Sequence, residues 1–282
     1  MEIKFENVSY IYHANSPLAK VALNNLNVVF EDNKIHGLIG PSGSGKTTLV
    51  ELINGLSFPT EGTIKIGNDI LNKKISKEVL SKIRFNVGLV FQFPEEQFFN
   101  STVEDEISFA LKNYKHKLKR IDKRVNDALK MVGLSSKYLT LNPFYLSSNE
   151  KRRIAIASVL IYNPKVIILD EPTVGLDNKG KKYFIKLIKK LKNDYHKTII
   201  VCTHDVDMLY QIADDVVALN NGEIILSGDK NEVFNEVDLL DSHNIEVPKI
   251  VKFIHKVRIT KGIKLDDSKD VKDLIKDVYR SV

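Results

Sequence analysis

Gly40-Pro41-Ser42-Gly43-Ser44-Gly45-Lys46-Thr47 fits G-x-x-x-x-G-K-[ST], the spacing of a phosphate-cradling P-loop. Its surroundings suit that chemistry. Residues 35–39 form a short apolar run that reads as a buried strand, and residues 46–53 read as a helix stopped by Asn54-Gly55. Glycines at 40, 43 and 45 let successive backbone N–H groups turn inward around phosphate oxygens, close to the positive end of the helix. Lys46 adds a point charge for the terminal phosphates, Thr47 offers a hydroxyl to Mg²⁺, and Thr48 is counted with residues 40–47 as nucleotide-binding. A nucleoside triphosphate is the ligand this stretch implies.

The 282 residues, 43% hydrophobic and 28% charged, suffice for one α/β domain and a small appendage. A single cysteine, Cys202, excludes an internal disulfide framework and a cysteine-based zinc site, which makes a reducing compartment, the cytoplasm, the expected location. No stretch reaches the ~20 apolar residues of a membrane span, and residues 1–5 alternate like a strand where a signal peptide would be continuously apolar. Work at a membrane would then be done from its surface. The net charge of +6 is spread along the chain without aromatic interleaving and by itself selects no anionic partner.

Residues 3–10 and 26–30 read as early strands of a small β layer beside the nucleotide, separated by a loop at Asn15-Ser16-Pro17. Residues 76–135 are helical in character, broken by a strand at 87–91 and by Pro94. The runs 166–169 and 198–201 are continuously apolar and flanked by helical segments, the pattern of parallel strands covered on both faces. Residues 216–226 read as a hairpin through an Asn-Gly turn at 221–222. In the tail, Val271, Leu274, Ile275, Val278 and Tyr279 share one face of an expected helix over 270–282.

A second motif supports the first. The run 166–169 delivers Asp170 and Glu171 to a strand end, before a turn at Pro172. An acid at such a position, expected on the strand next to the P-loop strand, holds Mg²⁺ directly or through water. Glu171 beside it can orient and polarise an attacking water. Thr203-His204-Asp205 repeats the arrangement after the next apolar strand and puts His204 near the terminal phosphate.

Taken together, residues 40–47, Gln92 after a strand, Leu146-Ser147, residues 166–171, Gly175-Leu176-Asp177 and His204 resemble the ATP-binding subunits of ABC transporters, in order from about residue 3 to 227. The resemblance implies an α/β fold, a P-loop NTPase with a RecA-like parallel sheet, an antiparallel β layer and a helical subdomain at about 93–162. It implies an ATP-binding domain at 1–228, a C-terminal extension at 229–282, and ATP and Mg²⁺ as ligands. Tyr12, or its rival Tyr10, matches the aromatic that stacks on adenine; Gln92 matches the residue that touches Mg²⁺ and the lytic water; Asp177 matches a loop that crosses the dimer interface. Residues 91–99, the insertion at 15–17 and the tail are similar to the energy-coupling factor ATPases for cobalt and vitamins, especially the second of their two paralogous subunits. That likeness implies a paralogous ATPase partner, a transmembrane coupling subunit, a substrate-capture membrane subunit, and a peripheral place on the cytoplasmic face of the cell membrane.

One landmark departs from the family. Where Leu-Ser-Gly-Gly-Gln is usual, this chain has Leu146-Ser147-Ser148-Asn149-Glu150. Ser147 and Glu150 form an S-x-x-E capping box, so a positive helix N-terminus is still presented. Ser148 and Asn149, however, are expected to put side chains where the γ-phosphate on a partner subunit would approach. Weakened function, near-normal function and loss of the contact all remain compatible with these residues.

A rival reading is an ABC-type ATPase of DNA or ribosomes, with Lys112, Lys115, Lys117, Lys119, Arg120, Lys123 and Arg124 tracking phosphates. Soluble relatives of that kind carry two such domains or long coiled-coil insertions, and neither is present, so the run is read as a solvated face and no nucleic acid is expected. A nucleotide-gated module without hydrolysis is disfavoured by Glu171 and His204. In the extension, Phe234, Leu239, Leu240, Ile250, Val251 and Ile254 recur at helical spacing, either to pack on the main domain or to meet a second ATPase subunit.

Overall fold

The computed structural model describes residues 1–112 and 120–261. Lys115, Lys117 and Lys119 of the basic run and the expected helix over 270–282 lie outside them. The apolar runs become strands β3 (Ile35–Ile39), β7 (Val166–Asp170) and β8 (Thr198–Cys202), joined by β6 (Val87–Val90), β9 (Asp215–Asn220) and β10 (Glu223–Asp229). Their order is β10-β9-β3-β8-β7-β6, with all neighbours parallel except the β9–β10 hairpin. Apart from His36, Asp170 and Thr198, strands β3, β7 and β8 carry only apolar residues and one glycine, because both faces are covered. Ile35, Ile39, Ile167, Leu169, Ile199 and Val201 enter one core, and Leu38, Val166, Ile168, Ile200 and Cys202 enter the other. Each such side chain contributes about 1.5–3 kcal/mol on leaving water.

The first core is closed by helices α3 (Val103–Lys112), α4 (Ile121–Met131), α5 (Ser148–Leu160), α6 (Asn178–Asn193) and α7 (Val206–Ile212). In α4, Val125, Ala128 and Leu129 form the i, i+3, i+4 stripe that enters it. The second core lies against α1 (Lys46–Asn54), α2 (Lys77–Asn86) and an antiparallel sheet of order β2-β1-β4-β5, made of β1 (Ile3–Tyr12), β2 (Lys20–Phe30), β4 (Glu61–Ile66) and β5 (Asp69–Leu71). Both early strands run longer than expected. β1 reaches Tyr12 and β2 starts at Lys20, because register shifts between Val8 and Tyr10 and a left-handed Asn25 let the pairing continue past Asn24-Asn25.

The register corrects one expectation. Asp170 and Glu171 do not leave the strand next to the P-loop strand: β8 lies between β7 and β3. Leu38 pairs with Cys202 and Cys202 with Asp170, so the ends of all three strands stand level. Ligands of open α/β sheets bind at this carboxyl edge.

Beyond β10, helices α8 (Lys230–Asn235), α9 (Val237–Ser242) and α10 (Lys249–Lys261) pack back on the sheet. Phe234, Leu240 and Val251 join the first core, and Phe234 meets Tyr210 edge-on at 5.8 Å between ring centroids. Of the residues at that spacing, Ile254 is also buried and Leu239 is exposed. No helix among the described residues is long and apolar enough to cross a membrane.

Candidate nucleotide site

The P-loop is built by close approach. Gly45 stands at φ 107° as the N-cap of α1, and a Cβ there would lie 2.6 Å from Leu23 Cδ2 and 2.7 Å from the Ala22 carbonyl. Only glycine fits. The tip of the β9–β10 hairpin braces the loop from beneath: Gly222 N–H donates to Ser44 O at 2.9 Å, and Asn24 N–H donates to Gly222 O at 2.8 Å. Asn221 and Gly222 both take positive φ, as the Asn-Gly hairpin turn requires. Above the loop, space at Gly43 is open, and no side chain caps the N-terminal amides of α1. Ser44 Oγ is buried with no hydrogen-bond partner among the described residues. Free amides, a buried unsatisfied hydroxyl and an open mouth fit a cradle for phosphate oxygens.

Lys46 Nζ donates to Gly40 O at 2.7 Å and Pro41 O at 3.0 Å, which folds the ammonium across the cradle beside Ser42 and Gly43. Burial pulls this ammonium below the usual lysine value, and the nearby Glu171 and Asp170 oppose the shift. Thr47 is exposed, whereas Thr48 is buried and shares a hydrogen bond of 2.9 Å with Tyr12 Oη. Tyr12 is therefore tied to the P-loop helix, with Tyr10 edge-on behind it at 4.9 Å.

Burial raises the carboxyls of both Asp170 and Glu171, opposed at Asp170 by Lys46 and His204 and at Glu171 by His204 and Thr203. Glu171 stands at φ 45° and is held from three sides: its N–H donates to Cys202 O at 2.8 Å, Thr203 Oγ1 donates to its carboxylate at 3.1 Å, and His204 N–H donates at 3.1 Å. The His204 ring sits 3.5 Å from the same carboxylate and is otherwise exposed. The structure thus gathers Asp170, Glu171 and His204. Gln92 leaves the sheet two residues after Val90, which pairs with Leu169, and is exposed beside the same edge.

The signature segment is more self-contained. Glu150 accepts from Ser147 N at 2.9 Å, Ser147 Oγ at 2.6 Å and Tyr138 Oη at 2.6 Å, and these donors pull its carboxyl down to about 2. The capping box expected from sequence is present, and the Ser147 hydroxyl proton is engaged within it. Ser148 is exposed, as expected. Asn149 is placed differently. A Cβ on Gly180 of α6 would meet its Oδ1 at 2.5 Å and its Cγ at 3.0 Å, so the amide rests on that glycine rather than standing free. Asp177 caps α6, accepting from Gly180 N at 2.7 Å.

The contact at Gly180 has a measurable sign. Helical Gly→Ala ordinarily stabilises by about 0.5–1 kcal/mol. Here Gly180→Ala displaces Asn149, and we expect that gain to be absent in the native background and restored by Asn149→Gly, a coupling of about 1 kcal/mol in urea unfolding. Equal effects of Gly180→Ala in both backgrounds would show that the contact carries no energy.

Sequence reasoning passed over Arg152, Glu95 and Tyr138. Helical periodicity offered a signal for the first, since Arg152 shares a face of α5 with the buried Ala155 and Ile156.

A P-loop between parallel strands, with acids at the end of a nearby strand of the same sheet, defines a P-loop nucleoside triphosphatase. A family model described as ABC transporter matches residues 23–174, and the chain belongs to that family of ATP-binding, ATP-hydrolysing proteins. It is 44% identical to the energy-coupling factor transporter ATP-binding protein EcfA2 of Clostridium acetobutylicum, covering 96% of this chain and 93% of the relative. It is 43% identical to the protein of that name from Clostridium perfringens, covering 95% and 93%. Among solved structures, cbiO1 from Clostridium perfringens, part of the ABC transporter complex cbiONQ, superposes with a TM-score of 0.75 at 33% identity, covering 90% of this chain and 98% of that one. The dimeric ATP-binding cassette MJ0796 bound to ADP and Pi gives 0.70 at 31%, covering 80% and 98%.

Proposed function

We propose that this chain is one half of an ATPase pair that energises an energy-coupling factor importer for vitamins or transition-metal ions, working peripherally at the cytoplasmic face of the membrane. The observation that carries the reading is the level ending of β3, β8 and β7, which brings the P-loop, His204 and the Asp170-Glu171 pair to one edge. ATP would lie with its phosphates over residues 40–48 and its adenine against Tyr12, the aromatic tied to the P-loop helix. Water attacks the γ-phosphorus, Glu171 takes its proton, and the bond to the bridging oxygen breaks to leave ADP and phosphate. Lys46 neutralises charge on the transferring group, and His204 stands beside Glu171 to contact it.

The donor set also suits Mg²⁺. The donors are oxygens of a hydroxyl, a carboxylate and an amide; no cluster of three or more His, Cys, Asp or Glu among the described residues is arranged to hold a metal ion by itself, and Mg²⁺ in such enzymes takes one or two carboxylates with substrate phosphates. Thr47, Asp170 and Gln92 would hold it, and when bound it neutralises charge between the β- and γ-phosphates.

The partner is a paralogous ATPase subunit, and membrane subunits complete the assembly. Ser147 to Glu150 would meet the ATP of that partner, and Asp177 would lie at the interface. With the Ser147 hydroxyl engaged by Glu150 and a carboxylate at the helix terminus, the site completed by this signature is the slower of two. In the reconstituted pair, Glu171→Gln in this chain should therefore lower phosphate release more than the matching change in the partner; equal losses would sink the asymmetry.

A further inference from the structure

Arg152 is only 3% exposed, and its guanidinium has a partner on every side. Nε and Nη2 grip the two Glu95 carboxylate oxygens at 2.8 and 2.9 Å. Nη1 donates to Pro172 O at 2.9 Å and Nη2 to Val174 O at 3.2 Å. The Phe93 ring centroid lies 5.9 Å from the guanidinium carbon. One side chain of α5 thus joins the segment after Gln92 to the loop after Glu171.

Both joined segments hold a residue in an unfavourable left-handed conformation, Phe93 at φ 49° and Glu171 at φ 45°. Such residues persist only where their surroundings over-determine them. The grips fall next to each: Glu95 two residues after Phe93, and Pro172 directly after Glu171. Val90 and Leu169 are the last pair of the β6–β7 ladder, so beyond them no ladder between these two strands fixes the distance between Gln92 and Glu171.

We propose that Arg152 and Glu95 form a clamp that sets the placement of Gln92 and Glu171 for attack of water on the γ-phosphorus, both acting as positioning residues. The proposal rests on the reading above, in which those two side chains face the nucleotide. A lysine cannot replace the fork, because one ammonium does not reach two carboxylate oxygens and two carbonyls together. Breaking the pair also strands a buried charge, which makes alanine variants prone to unfold.

The test uses Arg152→Lys and Glu95→Gln in the full chain within its ATPase pair. We expect kcat to fall about tenfold or more with the Kd for ATP unchanged, as for misplacement of reacting groups. Amide exchange should rise in both 91–97 and 171–175 whichever partner is changed. Faster exchange only in the segment carrying the substitution overturns the linkage, and unchanged kcat with exchange raised in both overturns the positioning role. A parallel loss of ATP affinity and kcat in proportion to folded protein would mean a purely structural pair and also overturns it. Gln92→Ala keeps the two claims apart: unchanged kcat there removes the role read for Gln92, while the clamp stands or falls on Glu171 and the exchange data. Should Arg152→Lys not fold, Glu95→Gln, which keeps size and one carbonyl oxygen, carries the same readouts.

Discussion

Glu171→Gln should leave ATP bound and nearly stop its hydrolysis. The substitution keeps the shape of the side chain and, with the amide oxygen at the Oε2 position, the acceptor for Thr203 Oγ1 at 3.1 Å and for His204 N–H at 3.4 Å, so the strand end has little reason to move. What disappears is the base. Loss of a positioned general base lowers the rate by about two to four orders of magnitude. Its pH dependence identifies the group. Burial raises the Glu171 carboxyl above its ordinary value, so the native rate should fall on acidification at a pH higher than an exposed glutamate would give. The sign follows from the chemistry: the ionised form accepts the proton from water, and protonation removes it. Steady-state phosphate release against pH, with a non-hydrolysed ATP analogue to confirm unchanged affinity, measures both parts. An acid limb that survives in Glu171→Gln at the same midpoint would assign the titration to another group.

That arrangement was only partly legible from sequence, and the division has physical causes. The P-loop, the acids at 170–171 and His204 are local patterns, each written in consecutive residues beside an apolar run. The expectation that β7 borders β3 follows from the P-loop pairing of motifs and not from any local signal; crossover connections place strands by packing, and β8 lies between them. The early strands were undercut at Asn24-Asn25, where turn-forming residues sit in a bulge rather than a turn. Residues 61–71 pair as β4 and β5 without having been read as strands, because a short alternation around Gly67 carries little signal alone. Arg152 and Glu95 are 57 positions apart. Nothing in either stretch names the other, and Lys151-Arg152-Arg153 looks like a solvated run until the helix face is counted.

Lys46→Ala should act at the earlier step, on nucleotide affinity. In the free chain Lys46 Nζ serves two P-loop carbonyls, those of Gly40 and Pro41, at the mouth of the cradle. Pro41 is partly exposed, so water can replace the ammonium at its carbonyl, while the buried Gly40 loses its donor, and the folded chain should lose about 1–3 kcal/mol. The phosphates have no such substitute. Losing a charge-assisted contact of about 1.5–3 kcal/mol weakens binding by about one to two orders of magnitude. Ligand-induced stabilisation converts this into a measurement: at 100 Kd of the native chain, ATP analogue stabilises it by about 2.7 kcal/mol, and at the same concentration a hundredfold weaker variant gains about 0.4 kcal/mol. The thermal shift on adding analogue should therefore nearly vanish in Lys46→Ala and stay full in Glu171→Gln. The contrast separates the two halves of the site, because the lysine meets phosphate already present in the ground state whereas the glutamate acts on a water that reacts only afterwards. Equal shifts in the native chain and Lys46→Ala would mean that the backbone amides of residues 43–47 hold the phosphates without the ammonium.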